Sequence, residues 1–289
     1  MAAAPEAPES CCVVCFESAS QGASLPCACN VQYCTRCWDR ALAESVNACG
    51  RARCPTCRSP VHVDFDAERG CLLFSRETEE LPDPAAAADP AVAHADIAAH
   101  GRQTVDRLLE QARPMQQRLL QRYGKAHGAA LQEAARDPEA HLRQLPADKL
   151  RNQLAGAGPA AEAEAAGEAE LPQRLLEAAG REGAVAAWWD ATAQTAPTCV
   201  CGSFLRRVSG SDRVRRICES LFPGAPPELL AEIMDSGHCA VICDICDQSV
   251  NTASGVWSCE NGAKTILHAT AYDVCDTCFV TQALGGASA

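Results

Sequence analysis

Apolar residues recur at intervals of three and four in the middle of the chain, at Val105, Leu108, Leu109, Ala112, Met115, Leu119 and Leu120. This spacing predicts an amphipathic helix, because such positions share one helical face. Pro114 lies inside the pattern and is expected to break or kink the helix, since proline has no backbone N–H to donate. Asp137 followed by Pro138 predicts the start of a second helix, with an N-cap residue before proline at the first helical position.

Weaker helical patterns continue downstream, over residues 171–189, after a possible cap at Asp212, and over 227–234. Residues 156–170 consist mostly of Ala, Glu and Gly and are typical of a solvated linker. These helices could form a docking surface for a partner, or they could be spacer helices that bury little of themselves. We favour the spacer, because amphipathic helices are common in any protein.

The composition argues against one large hydrophobic core. Leu, Ile, Val and Phe together make up 52 of the 289 residues, or 18%. Acidic chains below about 20% tend towards disorder, and this chain has a net charge of −12. Small folded units therefore need another source of stability, and the 20 cysteines are the obvious candidate.

The charge and the termini exclude several classes of function. An acidic chain disfavours general nucleic-acid binding, because phosphate contacts need a basic face. We expect no membrane span, since no run of about 18 apolar residues occurs. The first residues lack the basic and apolar regions of a secretory signal. We therefore expect the cytoplasm or the nucleus, where thiols stay reduced and paired cysteines bind metal more often than they form disulfides.

The N-terminal cysteines form four close pairs within about 46 residues: Cys12 with Cys15, Cys27 with Cys29, Cys34 with Cys37, and Cys54 with Cys57. Zinc takes four thiolates in a closed tetrahedral site, and the short spacing within a pair lets both thiolates reach one ion. Four pairs therefore predict two structural zinc ions. Cys11, Cys49 and Cys71 fall outside the pairs and are expected not to be ligands.

The order of these pairs resembles a RING domain over residues 10–63, and most closely the all-cysteine RING of the ubiquitin ligase associated with the Not deadenylase complex. The resemblance extends to Trp38, Pro55 and Arg58, which directly follow cysteines of the third and fourth pairs. It departs from the usual RING in having Cys29 where most members have histidine, with four residues before the next cysteine. RING domains interleave their sites, which implies one zinc on Cys12, Cys15, Cys34 and Cys37 and the other on Cys27, Cys29, Cys54 and Cys57.

The resemblance implies a ubiquitin-protein ligase that forms no covalent intermediate. Such a ligase would bind a ubiquitin-conjugating enzyme and hold its ubiquitin thioester in a reactive geometry towards a substrate lysine. The family's contact face corresponds to Val14, Trp38 and Pro55, and Arg58 corresponds to a cation that bridges the enzyme and ubiquitin. Each residue also has a structural alternative. Val14 could pack between the turns that hold the zinc ligands, Trp38 could be partly buried, and Arg58 could be an ordinary surface charge.

The C-terminal cysteines resemble a ZZ-type zinc finger over residues 238–282. Cys243, Cys246, Cys275 and Cys278 form two pairs that can close one zinc site. The second zinc of the family is expected to be degenerate or absent, because Cys259 lacks a paired cysteine. We expect His268 to be an ordinary exposed imidazole. Cys199 and Cys201 suggest a third site only loosely.

ZZ fingers bind the amino-termini of peptides in an acidic pocket, and Asp244 and Asp273 match positions of that pocket. The family resemblance therefore implies a basic peptide N-terminus as ligand, which the local acidic excess would favour. The alternative is a solvated acidic surface on a purely structural finger. One acid of the family pattern is replaced here by Ala271.

Together these patterns predict two small zinc-stabilised α+β domains joined by an Ala-rich spacer that is partly helical and partly disordered. The expected boundaries are 10–63 for the RING, 64–198 for the spacer, 199–237 for a short helical segment and 238–282 for the ZZ-like finger. The expected function is a RING-type ubiquitin ligase with two zinc ions in the RING and one or two in the finger. The alternative is a non-catalytic zinc-binding adaptor.

Overall fold

The computed structural model describes residues 11–18, 22–77, 90–157, 166–235, 240–250, 254–269 and 271–286. The chain divides into two compact units. Unit 1 comprises residues 1–114 and 261–271, and unit 2 comprises residues 115–260 and 272–289. The boundary falls inside a long helix between Pro114 and Met115. No helix in the described part of the chain is long and apolar enough to span a membrane.

Unit 1 contains helix α1, a two-stranded antiparallel hairpin, the first part of the long helix α2 and one 3₁₀ turn. Their bounds are α1 Thr35–Cys49, β1 Val61–Asp66, β2 Cys71–Arg76, α2 Pro90–Arg136 and the turn Ile266–His268. The hairpin pairs Val61 with Arg76 and Asp66 with Cys71. Burial alternates along β1, as expected for a strand with one face on the core.

The core of unit 1 forms around α1, whose buried face consists of Trp38, Leu42, Ala43 and Val46. The ring of Trp38 is fully buried and lies 5.5 Å from the ring of Tyr33 and 6.0 Å from that of Phe74. The 3₁₀ turn packs on the same helix, because the backbone amide of Ile266 donates to Asp39 Oδ1 at 2.7 Å.

The hairpin of unit 1 is held against α2 by polar side chains. Arg107 binds the Asp64 carboxylate and donates to the carbonyl of Val63 at 2.9 Å. Gln111 accepts from the amide of Phe65 at 2.8 Å and donates to Asp64 Oδ1 at 3.1 Å. Because a strand at the edge of a small sheet has unpaired backbone groups, these contacts satisfy part of that edge.

Among the described residues, unit 2 contains the rest of α2, six further helices, a three-stranded antiparallel sheet in the order β3-β6-β7 and the short hairpin β4-β5. The helices are α3 Pro138–Leu142, α4 Ala147–Ala157, α5 Leu171–Thr192, α6 Gly210–Leu221, α7 Pro227–Asp235 and α8 Asp276–Ala283. The strands are β3 Leu205–Ser209, β4 Val241–Ile242, β5 Ser249–Val250, β6 Gly255–Cys259 and β7 Asp273–Cys275.

Helices α3, α4 and α5 bury their apolar faces against one another in a core formed by Leu142, Leu150, Leu154, Leu171 and Leu175 with small alanines. These helices were expected to be a spacer that buries little of itself. The structure instead makes them part of a compact unit, because Ala positions let the helices approach closely around the leucines.

A buried ion pair joins β3 to α8 within unit 2. Arg207 makes two bonds to the carboxylate of Asp276, at 3.0 Å and 2.8 Å, and both side chains are less than 7% exposed. Asp276 also accepts the backbone amide of Gly255 at 3.0 Å. Trp257 of β6 and Phe279 of α8 stack with their ring centroids 4.1 Å apart, so a second contact connects this sheet to the same helix.

Several local expectations can be compared with these elements. Helix α2 continues through Pro114 instead of ending there. Asp137 caps α3 as predicted, accepting the amide of Ala140 at 3.0 Å. The cap of α6 is Ser209 rather than Asp212, which lies in the first turn. The predicted linker at 156–170 lies mostly outside the described residues.

Candidate metal centres

Four groups of side chains bring three or more candidate metal-ligand atoms within 4.8 Å of one another among the described residues. None of the described cysteines forms a disulfide bond. Sulfur atoms from different pairs lie 3.9 Å apart for Cys15 and Cys34, and 3.6 Å apart for Cys27 and Cys54. A disulfide would need about 2.0 Å, whereas tetrahedral zinc with bonds of about 2.3 Å separates its sulfurs by about 3.8 Å. The spacing fits thiolates that share a metal ion.

The N-terminal cysteines form two of these groups. The structure brings together the first and third pairs, and separately the second and fourth pairs: Cys12, Cys15, Cys34 and Cys37 in one group, and Cys27, Cys29, Cys54 and Cys57 in the other. The four pairs therefore alternate along the chain between two sites, as the resemblance to a RING domain implies. Each site offers four thiols, a donor set that could hold zinc.

Three of the cysteine pairs share one backbone turn. In each, the amide of the first cysteine donates to the carbonyl five residues later, and the amide four residues later donates back to the carbonyl of the first cysteine, all at 2.9 Å. The residue four positions after the first cysteine has a positive φ of about 60°. The first cysteines are Cys12, Cys54 and Cys243, and the residues with positive φ are Phe16, Arg58 and Asp247. We call this turn the knuckle.

Two other pairs lie at the N-termini of helices. Cys34 is the N-cap of α1 and accepts the backbone amide of Cys37 at 3.4 Å. Cys275 is the N-cap of α8 and accepts the amide of Cys278 at 3.3 Å. The N-terminus of a helix favours negative charge, so both pairs lie where thiolates are stabilised. The group at Cys12 and the C-terminal group thus combine a knuckle with a helix cap in the same way.

The thiol groups influence one another's pKa values strongly. Hydrogen bonds from Ser59 lower the pKa of Cys57 to about 6, and the bond to Cys57 raises the pKa of Cys29 to about 12. In the C-terminal group, bonds from Cys275 and Cys278 lower the pKa of Cys243 to about 2, and the pKa of Cys275 rises to about 12. Four clustered thiols cannot all ionise together unless a cation compensates their charge. A divalent metal supplies that compensation.

The residues expected to contact a conjugating enzyme differ in exposure. Val14 is 55% exposed, and Pro55 and Arg58 lie exposed in the fourth pair's knuckle. Trp38 is fully buried in the core of unit 1, which corresponds to its structural alternative rather than to an exposed anchor. Helix α1 turns this ring inwards because it belongs to the same buried face as Leu42.

Phe16, which no sequence motif singles out, is 80% exposed at the end of the first knuckle. Val13 and Val14, at 44% and 55%, make the same knuckle apolar. An exposed phenylalanine with positive φ is unusual, since most residues avoid that conformation. The signal available in the sequence was an apolar run interrupted only by a metal-ligand cysteine.

The C-terminal group unites Cys243, Cys246, Cys275 and Cys278, the four cysteines expected from the finger pattern. The sulfurs of Cys246 and Cys275 lie 4.0 Å apart. The knuckle at Cys243 is closed by the hairpin β4-β5, in which Val241 pairs with Val250. This group could hold one zinc ion.

The two acids expected to bind a peptide are already engaged within unit 2. Asp273 is 4% exposed, and its carboxylate accepts three bonds from the guanidinium of Arg213 at 2.8 to 3.0 Å. It also accepts the hydroxyl of Ser258. Asp244 accepts the backbone amide of Asp273 at 2.6 Å. Both carboxylates therefore stabilise the fold of the finger.

The remaining group contains the thiols of Cys199, Cys201 and Cys259 in unit 2. Burial raises the pKa of Cys199 well above its usual value. Cys259 was expected to be the remnant of a degenerate site, and the structure brings it instead to the two upstream cysteines that the sequence linked only loosely. The expectation of an exposed imidazole at His268 is wrong, because this side chain is fully buried.

No protein-family model, curated protein or solved structure matches this chain. What the structure itself shows is several small cysteine clusters with the geometry of metal sites.

Proposed function

We propose that this protein is a RING-type ubiquitin ligase that binds a ubiquitin-conjugating enzyme and promotes transfer of ubiquitin to a protein substrate. The observation that carries the proposal is the alternation of four cysteine pairs between two four-thiol groups in unit 1. Two zinc ions on these groups would fix the knuckles at Cys12 and Cys54 as rigid supports. Because the chemistry relies on reduced thiols, we place the activity in the cytoplasm or the nucleus.

The zinc ions in this proposal have a structural role, and the protein acts by positioning. The thioester belongs to the conjugating enzyme, so the ligase needs only to restrict the ubiquitin to a geometry in which a lysine can attack. Restricting flexible reactants in this way contributes several kcal/mol to a rate enhancement. No side chain of this chain is required to act as an acid, base or nucleophile.

The contact surface that the structure favours is the exposed apolar first knuckle, with Val14 and Phe16 as its largest projections. Binding hot spots are enriched in large side chains, aromatic ones especially, which become fully desolvated. Phe16 therefore takes the aromatic role that the family pattern assigns to Trp38. Pro55 and Arg58, which lie exposed on the knuckle at Cys54, complete the proposed surface.

The decisive experiment is an autoubiquitination assay with the zinc-loaded full chain, ubiquitin-activating enzyme and a panel of conjugating enzymes. We expect activity with at least one member of the panel and a loss of at least tenfold in Val14→Arg and Phe16→Arg. Zinc content measured on the same samples shows whether the variants remain folded. A correctly loaded wild-type chain that is inactive with the whole panel would refute the proposal.

Leu73 provides a matched control for these variants. It is 45% exposed on β2 of the same unit, but it lies outside both knuckles. Leu73→Arg introduces the same charge at an apolar site of similar exposure. We expect its activity to match the wild type. Equal losses in Leu73→Arg and Val14→Arg would show that the effect is not specific to the first knuckle.

A non-catalytic zinc-binding adaptor is the second candidate, and the burial of Trp38 is the observation that favours it. An adaptor would bind proteins through its knuckles without stimulating discharge of ubiquitin from a conjugating enzyme. A single-turnover discharge assay with free lysine separates the two functions. Binding of a charged conjugating enzyme without faster discharge would support the adaptor.

The proposal extends to the C-terminal finger only as a structural or protein-binding module. A basic peptide N-terminus at Asp273 would have to displace Arg213, which already occupies the carboxylate. Titration of an N-terminal arginine peptide into the zinc-loaded chain tests this module. Binding that survives Asp273→Asn would locate the peptide elsewhere on the finger.

A further inference from the structure

Cys199 and Cys201 form a shortened version of the knuckle found at the other sites. The amide of Cys199 donates to the carbonyl of Ser203 at 2.7 Å, and the amide of Gly202 donates back to the carbonyl of Cys199 at 2.8 Å. These are the two bonds of the knuckle, with each span shortened by one residue. The residue with positive φ is now Gly202, at +85°. One residue fewer between the cysteines therefore leaves the same turn intact.

The strand register brings a third thiol to this turn. Thr198 and Phe204 form a bridge that closes the turn, and the next residue, Leu205, pairs with Cys259 at the end of β6. The amide of Glu260 donates to the carbonyl of Phe204 at 2.9 Å, so the pairing continues past Cys259. As a result the sulfurs of Cys201 and Cys259 lie 3.5 Å apart, close to the separation seen between pairs in the other groups.

The turn is also fixed from the side by a buried glutamine of α2. Gln116 is fully buried, donates to the carbonyl of Thr198 at 3.0 Å and accepts from the amide of Val200 at 2.7 Å. These bonds flank Cys199 on both sides. Ligands of structural metal sites are commonly oriented by such outer hydrogen bonds, which reduce their freedom before the metal binds.

The burial of these thiols agrees with a structural metal. Cys199 is fully buried and Cys259 is 8% exposed. Three clustered sulfurs without a disulfide, held by a knuckle, a strand register and a buried amide, are the features that the other candidate sites also show. Structural zinc sites are closed and buried in the same way.

We propose that Cys199, Cys201 and Cys259 bind a further structural zinc ion, which fastens the turn before β3 to the end of β6. This site does not depend on ligase activity.

Native mass spectrometry of the full chain, expressed with zinc and kept reduced, tests the proposal by counting metal ions. With two ions in the N-terminal groups, one in the C-terminal group and one here, we expect four in the wild type. Cys201→Ala is expected to lower the count by one. A wild type that holds only three zinc ions, or a Cys201→Ala variant that keeps the wild-type number, would overturn the proposal.

Cys218→Ala is the matched control, because Cys218 is a fully buried cysteine of α6 that belongs to none of the four groups found among the described residues. It should retain all of its zinc. Hydrogen exchange provides a second readout that does not rely on metal count. Exchange across Leu205–Ser209 should accelerate in Cys201→Ala and stay unchanged in Cys218→Ala, and equal acceleration in both variants would contradict the proposed role.

A Co²⁺ titration identifies the donor atoms. Thiolate-to-cobalt charge-transfer absorption should fall in Cys201→Ala by about one fifth, because this site supplies three of the fifteen clustered thiols. Absorption that is identical in the wild type and in Cys201→Ala would show that this cysteine is not a ligand.

Discussion

The buried pair of Arg207 and Asp276 gives a sharp test of how unit 2 is stabilised. The guanidinium and the carboxylate make two parallel bonds, and their side chains are 6% and 3% exposed. Burial alone would lower the pKa of Arg207, but the charge of Asp276 outweighs it and raises the pKa. The arginine therefore stays charged.

Replacing Arg207 by methionine keeps most of the side-chain volume and removes the charge. Asp276 would then retain only the amide of Gly255 as a buried donor. Removing one partner of a buried ion pair typically costs about 3–5 kcal/mol, because the remaining charge is left without compensation. Arg207→Met should therefore lower the free energy of unfolding of the region around β3 by about that amount.

The neighbouring residue supplies the control. Arg206 pairs with Glu260 at 2.6 Å, but its side chain is 60% exposed and that of Glu260 is 41% exposed. Solvent screens such a pair, so Arg206→Met should cost at most about 1 kcal/mol. Both variants remove one arginine from β3, and they differ only in the face on which it lies.

A double variant separates the loss of the pair from the cost of an isolated charge. Arg207→Met combined with Asp276→Leu removes both charges, and such replacements are often close to neutral. Here the amide of Gly255 loses its acceptor, which leaves a cost of about 1–3 kcal/mol. The double variant should therefore be more stable than Arg207→Met alone.

Hydrogen exchange of the zinc-loaded chain, measured at the amides of β3 and β6 under native conditions, reports the local opening free energy. Urea denaturation provides an independent value. If Arg207→Met proves no more destabilising than Arg206→Met, the pair is not buried as described and the reasoning fails.

Three further predictions concern unit 1 and the metal ions. Gly50 has φ of +72°, and a Cβ there would lie 2.5 Å from the carbonyl oxygen of Ile97, so Gly50→Ala should lower the melting temperature measurably while a Gly128→Ala control, in open space, should not. Burial opposes ionisation of Asp64, but Gln111 and nearby positive charges outweigh it and lower its pKa below 3.8. The stability that Asp64 contributes is therefore present above its unfolded pKa and is lost as pH falls through the lower folded value, and Asp64→Asn should flatten the pH dependence of urea midpoints below about pH 4. Removal of zinc with a strong chelator should unfold the knuckles, seen as loss of exchange protection there, and re-addition of zinc under reducing conditions should restore it, whereas no change on chelation would argue against structural metal.

The close pairing of the cysteines could be predicted from the sequence, since ligand spacing is a local property, whereas their alternation between two sites was implied by the resemblance to a RING domain. Two cysteines separated by one or two residues must lie close together whatever the rest of the chain does. That spacing, combined with the family resemblances, gave the two N-terminal groups that begin at Cys12 and Cys27. It also gave the C-terminal group that begins at Cys243. The cap at Asp137 was equally local, because an N-cap and a first-turn proline need no distant partner.

The inward orientation of Trp38, in contrast, could not be deduced from its position beside a ligand. It depends on the hairpin partner Phe74 and on Tyr33, which together enclose the ring. Likewise, the family resemblance implied a peptide-binding role for Asp273, but it gave no sign that the guanidinium of Arg213 binds this carboxylate. In both cases a distant part of the chain decided whether a side chain faces solvent.

The sequence by itself determined which cysteines form pairs, where several of the middle helices lie and that reduced thiols rather than a large apolar core must stabilise the N-terminal and C-terminal modules. Only the tertiary structure decided that Cys259 joins Cys199 and Cys201, because 58 residues separate Cys201 from Cys259 and strand register alone brings them together. It also decided that the middle helices α3, α4 and α5 form a common core instead of a spacer. The physical reason is that spacing along the chain fixes only near neighbours, whereas contacts between distant residues follow from how the apolar faces pack.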